Sequence, residues 1–207
     1  MKTFFAWQGG DGGDFVMHMI YWFTHGIKPN INQYGRQPID KKVRNFIVDK
    51  HSLIKTHVPW KDKSFLACDQ RRLILLYNPD PIFWTKKRIV KLHQLEDLQM
   101  TGKRPADKKI AQALRQKDFK TAYYWGASHW FALHKQYRKD IQNTLDTTEH
   151  LCIENNMTTL DEVKSTITSV MEYLDIDSEL STEMISECKT YVEKQKHIID
   201  TQWDYIV

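Results

Sequence analysis

The sequence contains few cysteines, and their placement argues against disulfide bonds and structural metal sites. The three, Cys68, Cys152 and Cys188, are odd in number and far apart among the 207 residues. Neither a disulfide framework nor a closely paired cysteine metal motif is present. Reduced thiols in a cytoplasmic protein are therefore expected, and a chain of this length buries enough apolar surface to fold without a staple.

Long hydrophobic runs and a strong excess of one charge are also missing. The longest apolar stretch, Phe15 to Phe23, is about half the length of a membrane span and contains His18. The segment before the first glycines, Met1 to Trp7, is too short for the apolar region of a signal peptide. The net charge of +4 suits attraction of a small anion but is too small and scattered for nucleic acid. We therefore expect neither a membrane nor a nucleic-acid partner.

Short hydrophobic segments alternate with segments of helical periodicity. Strands are predicted at Thr3–Trp7, Ser52–Thr56, Arg71–Tyr77 and Glu149–Ile153. Helices are predicted at Phe15–His25, Asp40–Lys50, from Pro81 to near Gln99, from Asp107 to near Asp140 with a break near Gly126, after Thr159, and from Leu180 to Val192. The alternation predicts an α/β fold with a mainly parallel central sheet flanked by helices, formed as a single domain over residues 1–207.

Capping residues support several of these helices. Gly26 stands where a C-cap glycine belongs, and Asp40 and Asp80 suit the N-cap position. Thr159 and Glu162 have the spacing of a capping box. In an α/β sheet of this kind, ligands bind beyond the carboxyl ends of the strands.

A glycine-rich loop, Gln8–Asp14, lies between the first predicted strand and the first predicted helix. Glycines let the backbone approach an anion, and the N–H groups of the loop and helix start point at it. The lysine and hydroxyl residue of a Walker A loop do not follow. Asp11 and Asp14 oppose anion binding, although Asp14 has an alternative use as a helix N-cap. We predict an anion site here, with a flexible turn as the alternative.

Two further segments carry polar groups at strand ends. Lys55 and His57 are two residues apart at the end of a predicted strand, so both point the same way. Lysine can neutralise developing charge, and histidine can accept a proton near neutral pH. Tyr77 ends the next strand, and Thr85 follows on a helix with a basic run, which suits a phosphate. Inert surface side chains are the alternative in both cases.

In order and spacing, these segments resemble the sulfotransferase family that uses 3′-phosphoadenosine 5′-phosphosulfate (PAPS). Cytosolic members carry Lys-Thr-His-Leu-Pro at a strand end, and Lys55 to Pro59 matches this with one conservative change. The family's next strand ends in Arg-Asn-Pro, and Leu73 to Thr85 fits that block with Tyr77 for the arginine and Thr85 for a serine. The resemblance covers about residues 3–175 and implies a P-loop-NTPase-like three-layer fold.

The resemblance also implies roles for individual residues. The 5′-phosphosulfate would lie on the loop, where the family's lysine, serine, glycine, two threonines and tryptophan are replaced by Gly10, Asp11, Gly12, Gly13, Asp14 and Phe15. His57 would be the catalytic base and Lys55 would stabilise the transition state. Tyr77 and Thr85 occupy the positions that bind the 3′-phosphate. The family's loop lysine, this arginine and its basic C-terminal loop are all missing.

The implied reaction moves a sulfuryl group from PAPS to a hydroxyl or amine of a small-molecule acceptor and releases 3′-phosphoadenosine 5′-phosphate (PAP). The acceptor pocket is expected to draw on Tyr123–Trp130 and Ile27–Pro38. No metal is expected, because His129 and His134 are poorly spaced on a helix. Two alternatives stay open: a non-catalytic nucleotide-binding module on the same fold, and a small-molecule kinase, which would need a loop lysine and a Mg²⁺-binding hydroxyl.

Overall fold

A five-stranded sheet forms the centre of the protein, whose computed structural model describes residues 1–7, 12–28, 41–86, 105–177 and 179–200. The strands are β1 (Lys2–Trp7), β2 (Asn45–Val48), β3 (His51–Thr56), β4 (Arg71–Tyr77) and β5 (Glu149–Glu154). Their order across the sheet is β2-β3-β1-β4-β5. The strands β3, β1, β4 and β5 are parallel, and β2 pairs antiparallel with β3. The mainly parallel sheet expected from the sequence is confirmed.

The helices are α1 (Gly13–His25), α2 (Lys41–Arg44), α3 (Lys63–Leu66), α4 (described over residues 81–86), α5 (Pro105–Arg115), α6 (Phe119–Leu145), α7 (Leu160–Tyr173) and α8 (Thr182–Asp200), with a 3-10 turn at Pro59–Lys61. They flank the sheet on both faces, as expected for an α/β protein. Among the described residues, no helix is both long enough and apolar enough to cross a membrane.

Successive side chains of β1 point alternately into two parts of the core, one on each face of the sheet. Phe5 and Trp7 join the cluster formed with α1, α7 and α8. Phe4 and Ala6 join the opposite cluster, which includes Phe65 of α3 and side chains of α6. Because side chains alternate between the two faces of a strand, a central strand covered on both faces must be apolar throughout. This explains why β1 and β4 carry continuous hydrophobic runs.

The helix predicted at Asp40–Lys50 is wrong. Within residues 41–50 of the predicted segment, the only helical turn is α2, after which the chain enters β2. In β2, Phe46 and Val48 are buried while Ile47 is 69% exposed, which is the alternation of a strand with one covered face. Asp49 adopts a left-handed backbone with φ 48° in the turn that leads into β3. Pairing with β3 therefore overrides the local helical pattern, and Asp40, the expected N-cap, lies outside the described residues.

The break predicted near Gly126 is also displaced. Gly126 lies inside α6, and the two helices are separated by residues 116–118. Lys117 has φ 56°, and the Asp118 carboxylate accepts a hydrogen bond from the Thr121 amide at 3.0 Å as the N-cap of α6. A left-handed residue followed by an aspartate cap ends one helix and starts another. Helix α5 begins at Pro105, two residues before the predicted helix start at Asp107.

Three of the predicted caps, at Gly26, Asp80 and Thr159, are confirmed. Gly26 is left-handed, and its N–H donates to the Trp22 carbonyl. The Asp80 carboxylate accepts from the amides of Ile82 and Phe83 at the start of α4. At α7, the Thr159 hydroxyl accepts from the Glu162 amide while the Glu162 carboxylate accepts from the Thr159 amide. At these three positions, the capping residue seen in the sequence marks one end of the helix.

Replacing Thr159 with alanine should destabilise the protein by about 1 kcal/mol, because the first turn of α7 loses its side-chain acceptor. Urea unfolding measures the change. Thr190→Ala is the matched control, since the Thr190 hydroxyl donates within α8, to the Ser186 carbonyl, and alanine favours a helix interior. Equal effects of the two substitutions would contradict the capping role.

Candidate functional site

The carboxyl ends of the four parallel strands lie along one edge of the sheet. In the register, Trp7 is opposite Leu76 and Ala6 is opposite Thr56, so β1, β3 and β4 end close together. The helix that follows β1 packs on one face of the sheet and α6 packs on the other. A strand pair whose connections leave to opposite faces forms a crevice at its carboxyl end, where α/β proteins bind ligands. Here that pair is β1 and β4.

Helix α1 begins at this edge on Gly12, which has φ 85° and provides no side-chain cap. Asp14 is therefore not the N-cap, which corrects the alternative use suggested for it from the sequence. It lies in the first turn of α1 with its carboxylate turned towards β3. The loop positions Gly10 and Asp11 lie outside the described residues.

Two glycines allow the helix to start close to the sheet. A Cβ atom at Gly13 would overlap the Trp7 indole ring, and a Cβ at Gly12 would lie 2.6 Å from the Tyr191 hydroxyl. The positive φ of Gly12 also disfavours any L side chain. Glycine is thus required here for close approach of the backbone, whatever binds to the loop.

Lys55 lies in this narrow space with little exposure. Its side chain is 14% exposed, and its Nζ is 2.5 Å from Asp14 Oδ1 and 4.7 Å from the centre of the Trp7 ring. A charge removed from water needs a partner, and the Asp14 carboxylate and the face of the Trp7 ring supply it. The Lys55 ammonium group is therefore fixed in position at the end of β3.

His57 contacts the same tryptophan just beyond the end of β3. Its Nδ1 is 3.2 Å from the Trp7 carbonyl oxygen, and its ring meets the Trp7 ring edge-on at 5.4 Å. A carbonyl only accepts, so Nδ1 carries the proton in this bond and the neutral ring keeps its lone pair on Nε2. The residue is exposed. His57 therefore has the tautomer that a general base needs.

Tyr77 lies on the opposite face of the sheet, in the core cluster beside α6. Its hydroxyl donates to the Glu154 carboxylate of the neighbouring strand β5, and Arg138 Nη2 donates to the same hydroxyl at 3.4 Å. Burial and the Glu154 carboxylate raise the pKa of Tyr77 to about 12. Desolvation of the thiol and the same carboxylate raise the pKa of Cys152 to about 11, so this thiol is protonated at neutral pH.

The segment after Tyr77 contains buried polar groups. The Asn78 carbonyl accepts from His134 Nε2 at 2.9 Å, and its side-chain oxygen accepts from the Asp80 amide. The Asn78 amide nitrogen and the Thr85 hydroxyl are buried and have no hydrogen-bond partner among the described residues. Thr85 is thus fully enclosed rather than at the surface of the crevice. The last loop position, Phe15, is buried and stacks on Tyr191 at 4.1 Å.

The structure therefore brings some of the predicted residues together and separates others. Asp14, Lys55 and His57 gather around Trp7, and we call these four residues the Trp7 cluster. Tyr77 lies on the opposite face of the sheet, and Thr85 is buried in α4. The spacing of Lys55 and His57 indicated that their side chains point the same way. No local signal in the sequence indicated that both would contact Trp7. Within the described residues, no group of three or more histidine, cysteine or acidic side chains is placed to hold a metal.

Comparisons with known proteins give no family for this chain. A scan against protein-family models finds no match. Searches of the curated proteins and of the solved structures also find no match.

Replacing Gly13 with alanine should lower the free energy of unfolding by about 1–3 kcal/mol, because the new methyl group overlaps the packed Trp7 ring. Chemical unfolding measures the loss. Gly26→Ala is the matched control at the other end of α1: Gly26 has φ 69°, and a methyl group there would meet no atom within 4 Å. The control should lose only about 1 kcal/mol from backbone strain. A smaller effect at Gly13 than at Gly26 would contradict the close packing.

The Tyr77→Phe substitution should reveal the raised pKa of Tyr77. Below pH 10 the hydroxyl is neutral in both states and its contribution to stability is fully present. Between pH 10 and about 12 the unfolded chain ionises first, so this contribution is lost as pH rises. The difference in unfolding free energy between wild type and variant should shrink over that range.

Urea unfolding from about pH 8 to about pH 11.5 tests this expectation, with Tyr124→Phe as control because Tyr124 is 66% exposed. The control difference should stay constant with pH. A constant difference for Tyr77→Phe as well would show that folding does not raise the pKa of the Tyr77 hydroxyl.

Proposed function

We propose that this protein is a sulfotransferase that moves a sulfuryl group from PAPS to a hydroxyl or amine of a small-molecule acceptor. The observation that carries the proposal is the Trp7 cluster: Lys55, paired with Asp14 in the first turn of α1, and His57, bonded to the Trp7 carbonyl, both contact the Trp7 ring. Their order along the chain also resembles the sulfotransferase pattern. Inert surface side chains have no need of contacts that bring a lysine and a histidine to the same tryptophan.

Each member of the cluster has a chemical role in this proposal. The acceptor oxygen or nitrogen forms a bond to sulfur while the bond from sulfur to the bridging oxygen breaks, and PAP leaves with that electron pair. His57 Nε2 accepts the acceptor's proton. Lys55 and the N–H groups at the start of α1 stabilise the negative charge on the sulfuryl and bridging oxygens. The protein positions groups and supplies charge, as in phosphoryl transfer.

The residues for the 3′-phosphate fit less directly. Tyr77 replaces an arginine and is bonded to the Glu154 carboxylate, while Arg138 supplies a guanidinium 3.4 Å from its hydroxyl. Thr85 has a buried hydroxyl without a partner among the described residues. A donor seated across the ends of β1 and β4 would meet Arg138 on the α6 side. We propose Arg138 as the replacement cation, because a charge-assisted bond to phosphate is stronger than a neutral one.

A non-catalytic nucleotide-binding module on the same fold is the second candidate. Its supporting observation is that the cations at the site already have acidic neighbours: Lys55 pairs with Asp14, and Arg138 lies near Glu154 through Tyr77. A site whose cations are already paired binds an anion weakly, and the bound nucleotide need not react. Product formation is the property that separates the two candidates.

Titration calorimetry with PAP tests donor binding, with AMP and ATP as controls. PAP should bind more tightly than both, because only PAP matches a site with separate groups for the 5′ and 3′ phosphates. Lys55→Met should weaken PAP binding at least about tenfold, the effect of one lost charge-assisted contact. Equal binding of AMP and PAP would remove the 3′-phosphate site and with it the PAPS assignment.

His57→Ala should reduce sulfuryl transfer by about 10²–10⁴-fold and leave PAP affinity unchanged, because a general base acts on the acceptor and not on the donor. The assay uses labelled PAPS with a panel of phenols, alcohols and amines. His150→Ala, at the amino end of β5, is the control and should retain full turnover. Unchanged turnover in His57→Ala would exclude His57 as the base, and no product with any acceptor would favour the binding module.

A further inference from the structure

We propose that the Asp14 carboxylate is an internal competitor of the anionic ligand: in the unliganded protein it occupies the position on Lys55 that the ligand's anionic oxygens must take. This inference deepens the proposed function and rests on it for the identity of the ligand. It concerns a residue that the sulfotransferase resemblance treats only as a replacement for a threonine. The structure instead gives Asp14 a partner of its own.

The first support is the geometry of the ion pair. Asp14 Oδ1 lies 2.5 Å from Lys55 Nζ, a distance that leaves no room for another anion between them. Lys55 is 14% exposed and lies over the Trp7 ring, so its ammonium group has little freedom to turn to a second anion elsewhere. An anion that uses Lys55 must therefore displace the carboxylate.

The second support is the position of Asp14 on its helix. It lies in the first turn of α1, where the helix dipole favours one negative charge. The carboxylate and an incoming phosphate or sulfate thus draw on the same positive potential. Two anions that both contact Lys55 would repel each other strongly in a partly buried site. The site consequently accommodates one of them at a time.

The third support is the difference in exposure between the two partners. The Asp14 side chain is 36% exposed, whereas that of Lys55 is less than half as exposed. Asp14 can therefore rotate towards water while Lys55 stays on the Trp7 ring. This makes the carboxylate the mobile member of the pair. Ligand binding then exchanges one anion for another on a fixed cation.

The Asp14→Asn substitution removes the competitor and keeps the side-chain shape. We expect PAP to bind about tenfold more tightly to Asp14→Asn than to wild type, the effect of removing one nearby negative charge in a partly screened site. Asp161→Asn is the matched control, because Asp161 is an exposed aspartate in the first turn of α7. It loses the same charge at an equivalent helix position and should bind as wild type does. Asp14→Glu keeps the charge and should not gain affinity.

Calorimetry with two probes, PAP and inorganic pyrophosphate, separates this inference from the proposed function. Tighter binding of either probe to Asp14→Asn, with Asp161→Asn unchanged, supports the competitor. If only pyrophosphate shows the gain and PAP binds to no variant, the competitor stands and the PAPS assignment falls. If PAP binds wild type and Asp14→Asn equally and pyrophosphate shows no gain, the competitor is overturned and the donor site stands. If neither probe binds Asp14→Asn more tightly than wild type, the competitor is likewise overturned.

Discussion

The contact between the Trp7 ring and the backbone of Gly13 is the constraint on which the rest of the site depends. It sets how closely α1 approaches the sheet, since any larger residue at Gly13 would overlap the ring. The same ring lies beneath the Lys55 ammonium, and the Trp7 carbonyl accepts from His57. One tryptophan at the end of the central strand thus orients the two groups on which the proposed chemistry relies.

The electrostatics of the carboxyl edge are balanced within the protein. Lys55 is paired with Asp14, and Arg138 donates to the Tyr77 hydroxyl that itself donates to Glu154. Such pairs stabilise buried or half-buried charges, but they also reduce the positive potential available to a ligand. An anion that uses Lys55 would therefore have to compete with the Asp14 carboxylate. The family resemblance concerns residue types alone and does not show this pairing.

Much of the fold was predictable because local signals agree with tertiary packing. Arg71–Tyr77 is a strand buried on both faces, and the Thr159 capping box starts α7, as predicted. β2 was missed because its pairing with β3 is decided outside the segment. In the candidate site, the common direction of Lys55 and His57 followed from strand periodicity. The Asp14–Lys55 pair joins residues 41 apart, and no periodicity or spacing carries that information.

The antiparallel pairing of β2 with β3 has a consequence for the order of folding. Asp49 and Lys50 join these two strands, whereas the parallel pairs of the described sheet are joined by long connections. A short hairpin closes with a small loss of chain entropy, and parallel pairing requires distant segments to meet. We expect this hairpin, which carries Lys55, to form before β1 docks beside it. Lys55 would then gain its contacts with Trp7 and Asp14 last, so the site assembles only when the sheet does.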